Sequence, residues 1–278
     1  MSMLVVQGPV LPVDASARLA TLTGAREVTH LTPTALRLNG VTTPEAVSDY
    51  CREHRLDATP MPAPRPLSGF RLLAMDMDST LITIECIDEL ADFAGVKPQV
   101  AAITAAAMRG ELDFPGALRA RVALLAGLSE VALTRVYDER LRLSPGAESL
   151  LAAARSAGLK TLLVSGGFTY FTRRLKERLQ LDFTLANELE IRGGVLTGQV
   201  LGDIVGADAK AARVADACAD LGCGADRAIV IGDGANDLKM MRLAGLSVAF
   251  RAKPVVQQQA QAALNFSGLD GVLNLCAA

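Results

Sequence analysis

A short apolar run that breaks abruptly into acidic residues constrains this chain more than any other feature. Residues 72–75 read Leu-Leu-Ala-Met, the pattern of a strand buried on both faces of a parallel sheet, and Asp76 and Asp78 follow at once. Open α/β sheets bind their ligands at the carboxyl ends of such strands, so a binding site is expected at these two carboxylates. A calcium-binding loop is excluded, because that loop requires glycine where Leu81 stands.

Two later apolar runs end in polar residues in the same way. Residues 160–164 lead into Ser165-Gly166-Gly167, and residues 228–231 lead into the Gly-Asp-Gly-Ala-Asn-Asp run of residues 232–237. Helical patterns alternate with these strands, which predicts an α/β fold with a Rossmann-like, doubly wound parallel sheet. The carboxyl ends of the three strands are then expected to converge on one crevice.

The remaining segments predict an inserted cap and a separate N-terminal domain. Residues 85–143 show helical spacing without a strand pattern, which predicts a helical cap inserted at about residues 84–143. Residues 1–66 read as a small α/β domain of strand, helix, strand and helix, and its last part, residues 60–66, contains four prolines and reads as an extended linker. We therefore predict a domain boundary there, with residues 67–278 forming the main domain.

Composition excludes several classes of protein. The net charge of −2 gives no sign of a nucleic-acid partner, and the sequence shows neither a transmembrane run of about 18 apolar residues nor a secretory signal. The five cysteines are scattered without a CxxC pair, which argues against a zinc site and a disulfide framework and favours a reducing cytoplasm. The two histidines, His30 and His54, precede the acidic stretch, so a Ser-His-Asp triad or a histidine metal site in the main domain is excluded.

The polar residues at the three strand ends, joined by Lys210 from an intervening helix, are suited to phosphoryl chemistry with Mg²⁺. Carboxylates supply a nucleophile and the oxygen ligands that Mg²⁺ prefers, lysine offsets negative charge, and backbone N–H groups near glycines hold phosphate oxygens. The residues are Asp76, Asp78, Ser165, Lys210, Asp233 and Asp237. A dinucleotide-binding GxGxxG motif is excluded, because Asp237 takes the place of the third glycine.

These residues resemble the four motifs of the haloacid dehalogenase superfamily of aspartyl-phosphate phosphatases. Within that superfamily the likeness is to the phosphoserine phosphatases, and it covers about residues 70–275. The segments that carry the closer likeness are residues 85–90, 108–114 and 118–122 of the cap, with Val164-Ser165-Gly166-Gly167-Phe168 and Ala252-Lys253-Pro254.

The resemblance implies a role for each acidic residue. Asp76 would attack the phosphorus and become an aspartyl phosphate, and Asp78 would act as general acid and then as general base. Mg²⁺ would be bound by the Asp76 side chain, the Asp78 backbone carbonyl and Asp233, with Asp237 in support.

The resemblance also implies which residues bind the substrate, O-phospho-L-serine. Those that would hold the phosphate are Ser165, Gly166, Lys210 and Asn236. Glu85 would bind the substrate ammonium and Arg121 its carboxylate, with Arg119 as the rival for that role, since two residues so spaced on a helix cannot both face the pocket. The residues that would line the pocket are Met108, Phe114 and Gly167.

Three alternatives stay open at the level of sequence. The first keeps the chemistry but changes the substrate to another small phosphorylated amino acid or metabolite, or transfers the phosphate to an alcohol. The second is a non-enzymatic switch phosphorylated on Asp76, which the general acid/base Asp78 argues against. The third concerns the N-terminal domain, which is either an ACT-like regulatory module, with a homodimer as a further expectation, or a packing appendage without a ligand.

Overall fold

The computed structural model describes residues 2–63 and 65–276. Pro64 of the predicted linker lies outside the described residues. Strands alternate with helices through most of the chain, and the strands are β1 (Ser2–Gln7), β2 (Glu27–Thr32), β3 (Ala35–Val41), β4 (Asp57–Met61), β5 (Leu72–Met75), β6 (Lys160–Phe168), β7 (Phe183–Arg192), β8 (Val195–Leu201), β9 (Ala228–Gly232), β10 (Leu246–Phe250) and β11 (Ala262–Leu264).

The helices are mostly short. They are α1 (Ala15–Thr23), α2 (Ser48–Glu53), α3 (Cys86–Phe93), α4 (Lys97–Met108), α5 (Phe114–Ala123), α6 (Val131–Arg135), α7 (Ala147–Ser156), α8 (Thr169–Leu179), α9 (Ala207–Asp220), α10 (Leu238–Met241), α11 (Pro254–Gln257) and α12 (Gly271–Leu275). Within the described ranges, no helix combines the length and the apolar character that spanning a membrane requires.

The larger sheet confirms the predicted doubly wound fold. Its strand order is β11-β10-β9-β5-β6-β7-β8, and neighbouring strands are parallel except for the antiparallel hairpin β7–β8. Strand β5 is buried along its whole length and lies between β6 and β9, with Ala74 opposite Leu162 on one side and Val230 on the other. The carboxyl ends of these three strands are therefore adjacent, as the sequence predicts.

The helical segment between β5 and β6 packs against the same core as the sheet. Leu118, Val122 and Leu133 of this segment belong to one apolar cluster with Leu73 and Leu163 of the sheet. Helix α5 also contacts strand β8, where the backbone of Ala123 closely approaches Gly198. The boundaries that the sequence predicts for the cap, at about residues 84–143, stay a prediction.

The N-terminal segment forms its own antiparallel sheet in the order β2-β3-β1-β4, with the chain order strand, helix, strand, strand, helix, strand. The sequence predicts only part of this pattern, since β2 and β4 were not anticipated. Pro60 and Met61, expected in a linker, instead belong to β4. One face of the sheet packs on α1 and α2, while Met3 and Val5 on the other face join the core of the main domain.

Polar contacts also hold this segment, which we call the N-terminal module (residues 2–61), against the end of the chain. The buried carboxylate of Asp57 accepts hydrogen bonds from the backbone N–H groups of Asn265 at 2.7 Å, Phe266 at 3.2 Å and Ser267 at 2.9 Å. The side chain of Gln7 donates to the carbonyl of Gly271 at 3.1 Å. The module is thus packed on the main domain by both apolar and polar contacts.

Candidate active site

The site is built around a buried contact between Asp76 and Lys210. Asp76 directly follows β5, and Lys210 lies in the first turn of α9, where its side chain is fully buried. The Nζ atom of Lys210 donates to Oδ1 of Asp76 at 2.6 Å and to Oδ1 of Asp237 at 2.8 Å. A buried ammonium of this kind requires carboxylate partners, and the two neighbouring strand ends supply them.

Asp233 and Asp237 follow β9 and complete an acidic cluster. Oδ2 of Asp237 accepts the backbone N–H groups of Asp233 at 3.2 Å and Gly234 at 3.0 Å, and Thr80 donates its hydroxyl to Asp233 at 3.1 Å. One carboxylate oxygen from each of Asp76, Asp233 and Asp237 lies within 4.8 Å of the others. A Cβ atom on Gly232 would lie 2.5 Å from Asp237, so only glycine fits beside this carboxylate.

The electrostatics of the cluster favour added positive charge. Burial raises the pKa of Asp76 well above its usual range, and the charges of Asp237 and Asp78 add to this effect against the attraction of Lys210. Burial and the charge of Asp237 raise the pKa of Asp233 to about 6. Burial alone would lower the pKa of Lys210, but the charges of Asp237 and Asp76 outweigh burial and raise it. Three carboxylates face one ammonium here, and this donor set fits a divalent cation such as Mg²⁺.

Asp78 is directed into the same crevice by a tight turn. The backbone of residues 77–81 reverses direction through Ser79, whose φ of 56° lies in the left-handed region. Oδ1 of Asp78 accepts the backbone N–H of Cys86, the first residue of α3, at 2.8 Å. Burial raises the pKa of Asp78, although the hydrogen bond from Cys86 opposes this shift. The raised pKa favours the protonated form of the carboxyl group, which can then donate a proton.

Ser165, Gly166 and Gly167 at the end of β6 form the opposite wall. The hydroxyl of Ser165 donates to Oδ2 of Asp78 at 3.4 Å and accepts the N–H of Gly167 at 2.8 Å. A Cβ atom on Gly167 would lie 2.6 Å from Asp78, and one on Gly166 would lie 2.8 Å from the ring of Phe114. Glycine at both positions lets the backbone approach the acid and the cap closely.

Three residues of the cap lie at the crevice, namely Phe114, Glu85 and Arg121. Glu85 accepts a hydrogen bond from the hydroxyl of Ser79 at 2.6 Å at the solvent-facing rim. Loss of part of its water shell and the charge of Asp78 raise the pKa of Glu85 to about 7. The half-buried guanidinium of Arg121 donates to the carbonyl of Ala117 at 3.3 Å.

The two rival arginines differ in their surroundings. Arg121 forms no ion pair with the described residues, and burial lowers its pKa although Asp88, Glu85 and Asp78 oppose this effect. Arg119 is exposed. The guanidinium of Arg121 therefore faces the acidic crevice, whereas the side chain of Arg119 faces solvent.

Two of the predicted site residues lie less centrally. The Met108 side chain is 67% exposed, and its sulfur lies 3.7 Å from Nζ of Lys253 at the surface. Asn236 is half-buried, and its side-chain oxygen lies beside Gly234, which also neighbours Asp237. The pocket-lining role of Met108 and the phosphate-binding role of Asn236 stay predictions.

Sequence reasoning assigned no role to two residues that shape the site. Thr80 orients Asp233 through its hydroxyl, and its place within the Asp-Met-Asp-Ser-Thr run was the available signal. Asn187 is buried in β7, where its side-chain amide donates to the carbonyl of Gly166 at 2.8 Å and accepts the N–H of Val205 at 2.8 Å. A single asparagine within a predicted hairpin gives no comparable signal.

Comparison with known proteins places the fold and the site in a family. Residues 73–242 match the model of the haloacid dehalogenase-like hydrolases, and this segment contains every acidic residue of the cluster. The chain belongs to this family. The hydrolase also matches, over residues 4–46, a domain of unknown function.

Relatives named phosphoserine phosphatase resemble this hydrolase over most of the main domain. The protein from Albidiferax ferrireducens is 54% identical over 217 residues, which is 76% of this chain and 92% of that protein. The protein from Haemophilus influenzae is 51% identical over 212 residues, which is 76% of this chain and 67% of that protein.

Solved structures extend the likeness to the whole fold. A probable phosphoserine phosphatase from Vibrio cholerae superimposes with a TM-score of 0.86 at 38% identity, covering 99% of this chain and 86% of the other. A substrate-bound phosphoserine phosphatase complex superimposes with a TM-score of 0.68 at 35% identity, covering 75% of this chain and 99% of the other. The predicted membership in the superfamily is confirmed.

Proposed function

We propose that this hydrolase converts O-phospho-L-serine to L-serine and inorganic phosphate through an aspartyl-phosphate intermediate on Asp76. The observation that carries the proposal is the buried contact of 2.6 Å between Lys210 and Asp76, with Asp78 two residues away against Ser165. The names of the relatives at about half identity support the choice of substrate.

The donor set supports Mg²⁺ as the cofactor. The side chains of Asp76 and Asp233, with the backbone carbonyl of Asp78, would hold the ion. Asp237 would stabilise the groups around the ion, since its carboxylate already accepts hydrogen bonds from Lys210, Asp233 and Gly234. The ion would supply positive charge to the phosphoryl oxygens as negative charge develops on them.

In the first step a carboxylate oxygen of Asp76 forms a bond to phosphorus, and the bond from phosphorus to the serine oxygen breaks. Asp78 gives its proton to that oxygen as serine leaves, and its raised pKa supports this role. Lys210 and Ser165 hold the phosphoryl oxygens during the transfer, and Gly166 offers backbone groups beside them.

In the second step a water molecule attacks the phosphorus of the aspartyl phosphate. Asp78, now a carboxylate, takes the proton of the water, and the bond between phosphorus and the Asp76 oxygen breaks. Inorganic phosphate leaves, and both carboxyl groups return to their starting states.

The cap residues support a substrate that carries both an ammonium and a carboxylate. Glu85 at the rim would bind the ammonium group of phosphoserine. Arg121, whose guanidinium forms no ion pair within the described residues, would bind the carboxylate through two parallel hydrogen bonds. Phe114, Met108 and Gly167 would line the space between them.

The test is phosphate release from O-phospho-L-serine with Mg²⁺ and with EDTA, beside O-phosphothreonine and an aryl phosphate. We expect metal-dependent turnover with strong preference for phosphoserine. Metal-dependent turnover without that preference would favour another small phosphorylated metabolite and withdraw the roles of Glu85 and Arg121. Activity that survives EDTA would contradict the metal assignment.

The same proposal extends to the setting of the reaction. We infer that it is the last step of serine biosynthesis and takes place in the cytoplasm. The expected homodimer, the expected absence of a nucleic-acid partner and the domain boundary at residue 66 stay predictions. For the N-terminal module, the contacts of Asp57 and Gln7 support a packing role, and an ACT-like regulatory role stays a prediction.

A further inference from the structure

Asn187 is a buried polar residue to which neither the family motifs nor the proposed mechanism gives a role. Its side chain is 1% exposed and lies at the carboxyl end of the sheet, in β7. The orientation of the amide is fixed by its partners. The backbone N–H of Val205 can only donate, so Oδ1 must face it, while Nδ2 faces the carbonyl oxygens of Gly166 at 2.8 Å and Gly167 at 3.4 Å.

The first partner of Asn187 is the turn that carries Ser165. The carbonyls of Gly166 and Gly167 point to the Asn187 amide, while the N–H of Gly167 points to the Ser165 hydroxyl. The turn has little other freedom, because Gly166 lies against Phe114 and Gly167 lies against Asp78. The Asn187 amide therefore fixes the side of the turn that faces away from the acid.

The second partner is the segment that carries Lys210. Val205 directly precedes Gly206, whose carbonyl accepts the backbone N–H of Lys210 at 3.0 Å in the first turn of α9. The carbonyl of Val205 also lies 3.7 Å from the position of a Cβ on Gly166. One side chain thus bridges two segments that are distant in sequence and that each deliver one group to the proposed phosphate site.

We propose that Asn187 is a positioning residue that sets the distance between the Ser165 turn and the start of α9, and so preorganises the groups that hold the phosphoryl group in transfer. This inference rests on the proposed phosphatase function. Misplacement of such groups by about 1 Å costs about 10²-fold in rate, because their contacts are strongest in the transition state. The residue touches neither substrate nor metal in this role.

Two substitutions in the full chain separate this role from simple packing. Asn187→Asp keeps the size and the Oδ1 acceptor but sets an oxygen against the carbonyls of Gly166 and Gly167, and Asn187→Ala removes both contacts. Leu189→Ala is the matched control, since Leu189 is buried on the same face of β7 but contacts the apolar core. The melting temperature of every variant is measured beside its kinetics.

We expect Asn187→Asp to lower kcat about 10²-fold with both O-phospho-L-serine and an aryl phosphate, while KM for phosphoserine changes less than about threefold. Leu189→Ala, at a temperature where it is folded, should keep the wild-type kcat. The proposal is overturned if kcat of Asn187→Asp falls only as far as its lowered melting temperature explains, as kcat of Leu189→Ala would. It is also overturned if the loss appears in KM for phosphoserine alone, which would place Asn187 on the amino-acid side of the site.

Binding of orthovanadate in the presence of Mg²⁺, followed by the shift in melting temperature, tests the inference independently of turnover. We expect the shift to shrink in Asn187→Asp and to persist in Leu189→Ala. If wild-type protein binds vanadate but does not hydrolyse phosphoserine, and the shift still shrinks in Asn187→Asp, the proposed substrate fails while the role of Asn187 stands. An unchanged vanadate shift in Asn187→Asp would overturn that role even if phosphoserine is the substrate.

Discussion

Two buried aspartates, Asp57 in the N-terminal module and Asp76 in the crevice, show how the same side chain serves two purposes. They are 3% and 5% exposed. Backbone N–H groups of Asn265, Phe266 and Ser267 satisfy both oxygens of Asp57. Asp76 has one hydrogen bond from the described side chains, from Lys210 to Oδ1, and none reaches its Oδ2.

The difference shows that this chain tolerates an electrostatically unfavourable carboxyl group in the crevice, at Asp76, and not at Asp57. A buried carboxyl group whose oxygens accept several N–H donors is satisfied by those hydrogen bonds, and they contribute to stability. Asp76 instead lies beside Asp237 and Asp78, and burial raises its pKa, so a bound cation would relieve the excess of negative charge around it. Substitution of each aspartate in turn, with activity and the free energy of unfolding measured for both variants, tests this distinction.

The largest effect is expected from Asp76→Asn. We expect kcat for phosphate release to fall by at least about 10⁴-fold, because the amide is not a nucleophile, while Lys210 keeps its contact with Asp237. The free energy of unfolding, measured by urea denaturation, should hold at the wild-type value or rise. A variant that retains near wild-type kcat would remove Asp76 from the nucleophile role.

Asp57→Asn should show the opposite profile. An amide cannot accept at both ends from the three N–H groups, so we expect the free energy of unfolding to fall by about 3 kcal/mol, with kcat/KM unchanged at low temperature. Asp49→Asn is the control on the same module, since that side chain is exposed, and it should change stability by less than about 0.5 kcal/mol. Equal stability of the two variants would mean that the N–H contacts of Asp57 contribute nothing.

A smaller effect is expected in the cap, at Arg121. Arg121→Ala should raise KM for phosphoserine about thirtyfold, corresponding to about 2 kcal/mol for a lost charge-assisted pair, and leave KM for an aryl phosphate unchanged. Arg119→Ala should change neither, since that side chain is exposed. If the effects appear instead at Arg119, the carboxylate-binding role moves to that residue.

The smallest effect concerns pH and Glu85. Because the pKa of Glu85 is raised from 4.5 to about 7, the residue is largely neutral below pH 7 and binds an ammonium only as pH rises through this value. The kcat/KM for phosphoserine, divided by that for an aryl phosphate, should therefore rise up to about tenfold between about pH 6 and 8. Glu85→Gln should remove the rise, and a rise that persists in this variant belongs to another group.

The same raised pKa fixes the sign of the contribution of Glu85 to stability. The folded chain binds this proton more tightly than the unfolded chain, so the contribution is most favourable below the unfolded pKa of 4.5 and is lost as pH rises toward 7. Without a ligand, Glu85→Gln should therefore flatten the fall in unfolding free energy over this range.

The sequence predicts the part of the fold in which burial leaves an uninterrupted apolar signal. Strands β5 and β9 are apolar throughout, β10 is apolar apart from the buried Ser247, and all three are confirmed at nearly the predicted bounds. Strand β2 alternates Glu27, Thr29 and other polar residues on an exposed edge, so its hydrophobic pattern is too weak to recognise. The four prolines of residues 60–66 indicate a linker, but the first of them, Pro60, belongs to β4, which is an edge strand of its sheet, where proline is tolerated.

The site could be predicted where its residues follow strands and resisted prediction where they meet through tertiary contacts. Asp76, Ser165 and Asp233 lie at strand ends, so sheet topology alone brings them together. Asn187 is linked to the site only by its hydrogen bonds to carbonyls 21 and 20 residues earlier in the chain and to an N–H group 18 residues later. Spacing of this kind has no periodic signature in a single sequence.

The contact between β1 and α12 has a consequence for how the chain folds during synthesis. Gln7 donates to the carbonyl of Gly271, 264 residues later, and accepts from the side chain of Asn274 at 2.6 Å. At about 5–20 residues per second, a ribosome needs about 13–50 s to make the intervening chain. Met3 and Val5 belong to the same apolar cluster as Leu269 and Val272, so strand β1 can complete its packing only after this interval, once α12 has been made.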